Sequence, residues 1–151
     1  MGKRKGKVDR LSISKFKLDA LLDITLSINA NLPKEILLSK YESILRRKLG
    51  IGKILIFKYS GIWECLLNGG FPGHDLSNPE IVPNLLRYTE TVFRPDDPVF
   101  IGVDIIIPVH NNNVPLAYVL MGDIEEEGEG MSPVLKHLNF VQTISSIILV
   151  A

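Results

Sequence analysis

One cysteine, three histidines and one acidic run are the residues of this chain whose types could do chemistry. Cys65 is of the type that serves as a nucleophile or anchors a bilin. Both uses need a reachable thiol, and the first also needs a base and an electropositive surround. Glu64 is its neighbour and the local run is β-rich, so the expected role is a small buried filler. His74, His110 and His137 stand far apart, with no second ligand at the spacings zinc sites use, and each reads as structural or solvated. Asp123-Ile124-Glu125-Glu126-Glu127 lacks the alternation of a calcium loop and reads as solvated chain. Gly69-Gly70-Phe71-Pro72-Gly73 lacks the lysine and following helix of a phosphate-cradling loop. No Ser-His-Asp set or carboxylate pair stands out. The reading is therefore no catalytic residue, no metal and no evident cofactor.

Length and composition bound the rest. A chain of 151 residues is large enough for one domain with a real core. With 46% hydrophobic residues and a formal net charge of zero, it is neither a disordered tail nor a general binder of nucleic acid or anionic membrane. A single cysteine rules out an internal disulfide framework, and a reducing, cytoplasmic setting is expected. The most apolar stretch, 144–151, is too short to span a bilayer, and no apolar run follows the basic start as in a signal peptide. Lys3, Arg4, Lys5, Lys7 and Arg10 make residues 1–13 a basic, solvated and disordered lead-in to a single domain over 14–151.

The elements that must position these residues follow from periodicity. Phe16, Leu18, Leu21, Leu22, Thr25 and Ile28 recur at helical spacing over 14–30. A second helix from Pro33 to about Leu49 has Ile36, Leu37, Tyr41, Ile44, Leu45 and Leu49 inward, and Gly50 as its stop. Residues 51–59 and 62–68 read as a hairpin over a two-residue Ser60-Gly61 turn, with Trp63, Cys65 and Leu67 on one face. A long crossing segment runs to Phe100; 79–90 is its one helix, capped by Ser77 or Asn78, with Ile81, Leu85 and Leu86 inward. Pro95 and Pro98 argue against another long helix. A central hairpin pairs the alternating run Ile101 to Val109 with the run Leu116 to Met121 across the turn His110-Asn111-Asn112-Asn113. A last helix starts at Ser132-Pro133 and carries the stripe Val134, Leu138, Val141, Ile144 and Ile148, still amphipathic at Ala151. That stripe points to a partner helix or a following domain.

Taken in order, these elements resemble the GAF domain, a sensory relative of PAS. The resemblance is carried by Asp104-Ile105-Ile106-Ile107-Pro108-Val109, the polar turn, and Leu116-Ala117-Tyr118-Val119-Leu120, where Ala117 stands at a common glycine position. It spans about 16–151. A narrower likeness, in residues 18–57, is to the N-terminal sensory region of bacterial serine phosphatases that regulate sigma factors. The phosphatase domain itself is not in this sequence. The resemblance implies an α+β fold, a central antiparallel sheet flanked by N- and C-terminal helices, with profilin-like layering. It implies a non-catalytic sensory or regulatory module that dimerises through its terminal helices and signals to a C-terminal output domain. It also implies that Arg87, Tyr88 and Arg94, in the crossing segment, wall a site for an anionic or aromatic small ligand. The polar motif of the cyclic-nucleotide-binding GAF domains is not found. Two alternatives stand beside this: an interaction scaffold of profilin or roadblock type with no ligand pocket, and a methionine sulfoxide reductase-like enzyme, which one strand cysteine disfavours.

Overall fold

A computed structural model of the chain describes residues 2–72, 76–124 and 137–150, with side chains described from Ser14 onward. His74, Asp75, the glutamates of the acidic run, and the helix start expected at Ser132-Pro133 lie outside the described residues. The chain divides into two compact units, residues 1–40 and 41–151, with the division inside the second helix.

The first unit is a helical hairpin. Helix α1 is Gly2–Asn29 and α2 is Lys34–Ser43. Residues 1–13 were expected as a disordered lead-in, yet the helix begins at Gly2; Lys and Arg lose little rotamer freedom in a helix. Asn31 stops α1 in the left-handed region, φ 55°. Leu32 N–H donates to Ser27 O and Asn31 N–H to Ile28 O, the paired bonds of a Schellman stop. Lys40 ties the two helices, its Nζ 2.9 Å from Asp23 Oδ1 and 2.9 Å from Ser27 Oγ. The buried side of α1 is Ala20, Ile24 and Ser27, whereas Leu18, Leu22 and Leu26 are exposed. That differs from the expected stripe by part of a turn. Ile36 is exposed as well.

The second unit is a five-stranded antiparallel sheet in the order β2-β1-β5-β4-β3. The strands are β1 Ile51–Tyr59, β2 Trp63–Gly69, β3 Val92–Phe93, β4 Ile105–Asn111 and β5 Val114–Ile124. The second helix continues into the unit as a π-helical segment, Ile44–Lys48, and ends at Gly50, φ 70°. Its buried positions Tyr41, Leu45 and Leu49 recur every fourth residue.

The first hairpin is looser than expected. Tyr59 pairs with Trp63, so the loop has three residues, Ser60 to Ile62, and Ile62 is exposed. A bulge between Ile56 and Phe57 pairs Cys65 with Phe57 but Leu67 with Ile56. Leu67 therefore moves to the face opposite Cys65, because the extra residue resets the alternation of side chains. The central hairpin is tighter than expected. Its turn is Asn112-Asn113 alone, both at positive φ (54° and 63°), the twist-matched two-residue turn. His110, Asn111, Val114 and Pro115 join the strands, while Phe100 to Gly102 leaves β4 and Ile101 is 80% exposed.

Each face of this sheet has its own cover. Helix α4, Leu138–Val150, packs on β4 and β5, and the π segment on β1. The buried residues of α4 include Val141, Ile144, Ser145 and Ile148. Of the stripe expected to seek a partner helix, Val141, Ile144 and Ile148 are thus buried, Leu138 is half-buried and Val134 lies outside the described residues. Residues 76–104 cover the other face. Asn78 caps a 3-10 turn, Pro79–Ile81, through Oδ1 to Glu80 N–H, and α3 is only Val82–Leu85. Leu85 is buried as expected, Val82 joins it, and Leu86 is exposed.

Candidate functional site

The layer between the sheet and the crossing segment is where side chains of mixed character meet. Strand register builds its floor. Phe57 of β1 pairs with Cys65 on one side and Tyr118 on the other, which sets the three in a row across β2, β1 and β5. Leu55, Leu120 and Ile106 form the next row. The cover brings Val82, Leu85, Tyr88, Phe100 and Val103 down onto these rows, and Trp63 and Cys65 pack at the β2 side, half-buried.

Aromatic rings dominate the β2 side. Trp63 lies 5.6 Å from Tyr118 and 5.5 Å from Tyr59 between centroids. On the cover, Tyr88 meets Phe100 edge-on at 6.2 Å. Tyr118 is fully buried, and among the described residues its hydroxyl has no hydrogen-bond partner. Burial pushes its phenol up from the ordinary range. Burial also pushes the Cys65 thiol up, partly offset by its contact with Leu67 O at 3.6 Å. A thiol so raised holds its proton at neutral pH and is a poor nucleophile.

The ends of the layer are pinned. Asn68 grips the loop after β2, accepting from Phe71 N–H at 3.1 Å and donating to Phe71 O at 3.2 Å. Lys53 sits 5.6 Å over the Phe71 ring and 3.4 Å from Asp123 Oδ2. The 100–104 turn crosses so close to β5 that a Cβ on Gly122 would fall 2.5 Å from Gly102 O, so only glycine fits there.

Of the three residues expected to wall a ligand site, the structure joins two. Tyr88 is buried in the layer. Arg87 is exposed; its guanidinium lies 4.6 Å from the Tyr88 ring centre, donates to Tyr88 Oη, and bonds Asp96 Oδ1 at 2.9 Å. Its hydrogen bond to Tyr88 holds the guanidinium above its usual range. Asp97 Oδ1 accepts from Val99 N–H and Oδ2 from Asn84 Nδ2, and these bonds hold its carboxyl below the usual range. Arg94 stands apart, exposed, at φ 51°, with its N–H on Asp104 O. His110 lies in β4 and His137 just before α4. Among the described residues no three His, Cys, Asp or Glu side chains converge. Trp63, Phe57 and Tyr118 were not singled out from the sequence. For Tyr118 a signal was there: a polar-tipped aromatic at an inward position of a strand apolar on both faces around it.

No family model and no curated protein matches the chain. Fourteen solved chains match it in structure. A GAF domain/HD domain protein from Geobacter sulfurreducens aligns with a TM-score of 0.50 at 12% identity, over 76% of this chain and 90% of that one. The GAF domain of a protein described as a sensor histidine kinase from Pseudomonas syringae pv. tomato aligns with a TM-score of 0.52 at 11% identity, over 99% and 90%. The fold is that of GAF domains. The α+β architecture expected from the sequence, an antiparallel sheet with helical cover, is the one found. In this GAF-type fold the aromatic layer lies between the sheet and its irregular cover. Among the described residues no helix is long and apolar enough to cross a membrane.

Proposed function

We propose that this chain is a non-catalytic sensory module of a signal-transduction protein, and that the layer beneath residues 76–104 is its ligand-responsive part. The observation that carries this reading is the fully buried Tyr118 hydroxyl, without a partner among the described residues, in an aromatic layer whose cover is short turns rather than a long helix. One structural neighbour is the GAF domain of a protein described as a sensor histidine kinase, and another is a GAF domain/HD domain protein. Tyr88 is the member of the Arg87, Tyr88, Arg94 trio that faces the ligand in this reading; the two arginines stand at the rim. The signal leaves through a homodimer and a C-terminal output domain, in the cytoplasm. Because the α4 stripe is buried, the dimer contact falls to α1, where Leu18, Leu22 and Leu26 are exposed at four-residue spacing. A role beside a sigma-factor-regulating serine phosphatase rests on the likeness of residues 18–57. The scaffold alternative lacks the long segment between Gly69 and Phe100, of which residues 76–100 here belong to the second cover.

Sedimentation equilibrium on the chain and on Leu22→Lys tests this. A concentration-dependent dimer that Leu22→Lys dissociates supports it. A monomer at every concentration removes the helix-borne signal and brings the scaffold forward.

A further inference from the structure

We infer that the layer takes an uncharged, ring-bearing ligand through one hydrogen bond donated by the Tyr118 hydroxyl. This rests on the sensory reading above and names the ligand class.

Charge comes first. Among the described residues the one buried charged side chain is Lys58, and the buried side chains gathered between the sheet and the crossing segment are aliphatic or aromatic, so none of these offsets the desolvation of an ion. The nearest cations stand at the rim and already have partners: Arg87 bonds Tyr88 and Asp96, and Lys53 sits by Asp123 and Phe71. Lys58, whose pairing is Lys58 to Glu64 and Ala117, alternates to the opposite face from Phe57. An anionic ligand would meet no dedicated partner there.

Shape comes next. Trp63 flanks Tyr118 at 5.6 Å with the rings tilted by 36°, and Tyr88 and Phe100 supply ring edges from the cover. Such surfaces favour a flat partner, by offset or edge contact. Trp63 and Cys65 are half-buried at the β2 side, where the layer is closest to solvent.

Polarity sets the last requirement. A buried phenol O–H without an acceptor loses its hydration and gains nothing in return. A ligand atom with a lone pair, such as a carbonyl oxygen or an ether, restores that bond. The layer thus distinguishes a ring that carries an acceptor from the same ring without one.

The chain has one tryptophan, so Trp63 contributes the single indole N–H signal in a nitrogen-proton correlation spectrum. The full chain is titrated with three probes of similar size: acetophenone, ethylbenzene and benzoate. Acetophenone is expected to shift the signal with about tenfold higher affinity than ethylbenzene, the gain of one hydrogen bond. Benzoate is expected to leave it in place. Tyr118→Phe should bring acetophenone to the ethylbenzene level and leave the melting temperature unchanged or raised. Equal affinities for acetophenone and ethylbenzene would overturn the inference, as would silence with all three. So would a lower melting temperature for Tyr118→Phe, since the hydroxyl would then have a partner in the free protein. Benzoate binding best, and lost in Arg87→Ala with Arg94→Ala, would also overturn it while leaving the sensory reading intact. Failure of that reading shows separately in the sedimentation test, which uses no probe.

Discussion

Two tyrosines, one on each side of the same sheet, have opposite fates. Tyr41, beneath α4, is fully buried and its hydroxyl meets Ser145 Oγ at 2.5 Å. Ser145 in turn donates to Val141 O at 2.6 Å, so Tyr41 donates and the chain of hydroxyls is complete. Tyr118, beneath the crossing segment, is buried to the same degree and bonded to nothing described. The α4 side is a regular helix on regular strands, with the Tyr41 and Ser145 hydroxyls matched there. The other side is turns, a four-residue helix and rings, with a donor that no described residue meets. One face of the sheet is built to hold its shape, and the other keeps a polar requirement for something else to meet.

The largest test of that contrast is a matched truncation. Ile144 of α4 and Leu85 of α3 are both fully buried. Replacing either with alanine should cost roughly 2–5 kcal/mol, with Ile144→Ala near the top and Leu85→Ala near the bottom, because short turns collapse onto a void more readily than a helix held along its length. Urea unfolding reads both, and equal losses would erase the distinction between the covers.

Tyr41→Phe against Tyr118→Phe is the sharper pair. Removing the Tyr41 hydroxyl breaks a buried bond and should cost about 1 kcal/mol, whereas removing that of Tyr118 should cost nothing or stabilise slightly. Chemical denaturation of the two variants side by side checks this, and a reversal would mean that the donors had been assigned to the wrong faces.

Alkaline pH probes the same two groups. Burial raises both phenols, and Tyr41 the further. A raised folded value means stability is complete below the unfolded tyrosine range, about pH 10, and is lost as pH climbs beyond it. The alkaline limb of a stability profile should therefore flatten in Tyr41→Phe and flatten less in Tyr118→Phe.

The smallest effect belongs to the turns of the cover. Asp97 caps the Pro98–Phe100 turn and its carboxyl is held low by Val99 N–H and then by Asn84. A lowered folded value adds stability above the unfolded aspartate range, about pH 3.9, and loses it as pH falls through the folded value. Asp97→Ala should blunt the acid limb slightly without moving the alkaline one.

Much of the fold could be read from residues alone because local chemistry repeats locally. The β-rich run IGKILIFKY is a strand, Gly50 ends the preceding helix, and Asn78 caps the turn that Pro79 opens. The site was less legible. Arg87, Tyr88 and Arg94 are close in sequence, but an ion pair with Asp96 turns Arg87 outward while Tyr88 goes in. A stripe on α4 looked free, because nothing in Val141, Ile144 and Ile148 says whether the surface they want is their own sheet or another chain.

By itself, then, the sequence determined which stretches extend, which coil and where turns fall, since those depend on neighbours a few residues away. Only the tertiary structure decided which face each side chain serves. A bulge at Ile56/Phe57 sent Leu67 to one side and left Cys65 on the other. Long-range register set Phe57 between Cys65 and Tyr118, and Trp63 against Tyr118. Whether a buried hydroxyl finds an acceptor depends on what arrives from far along the chain: Ser145 reached Tyr41, and no described residue reached Tyr118.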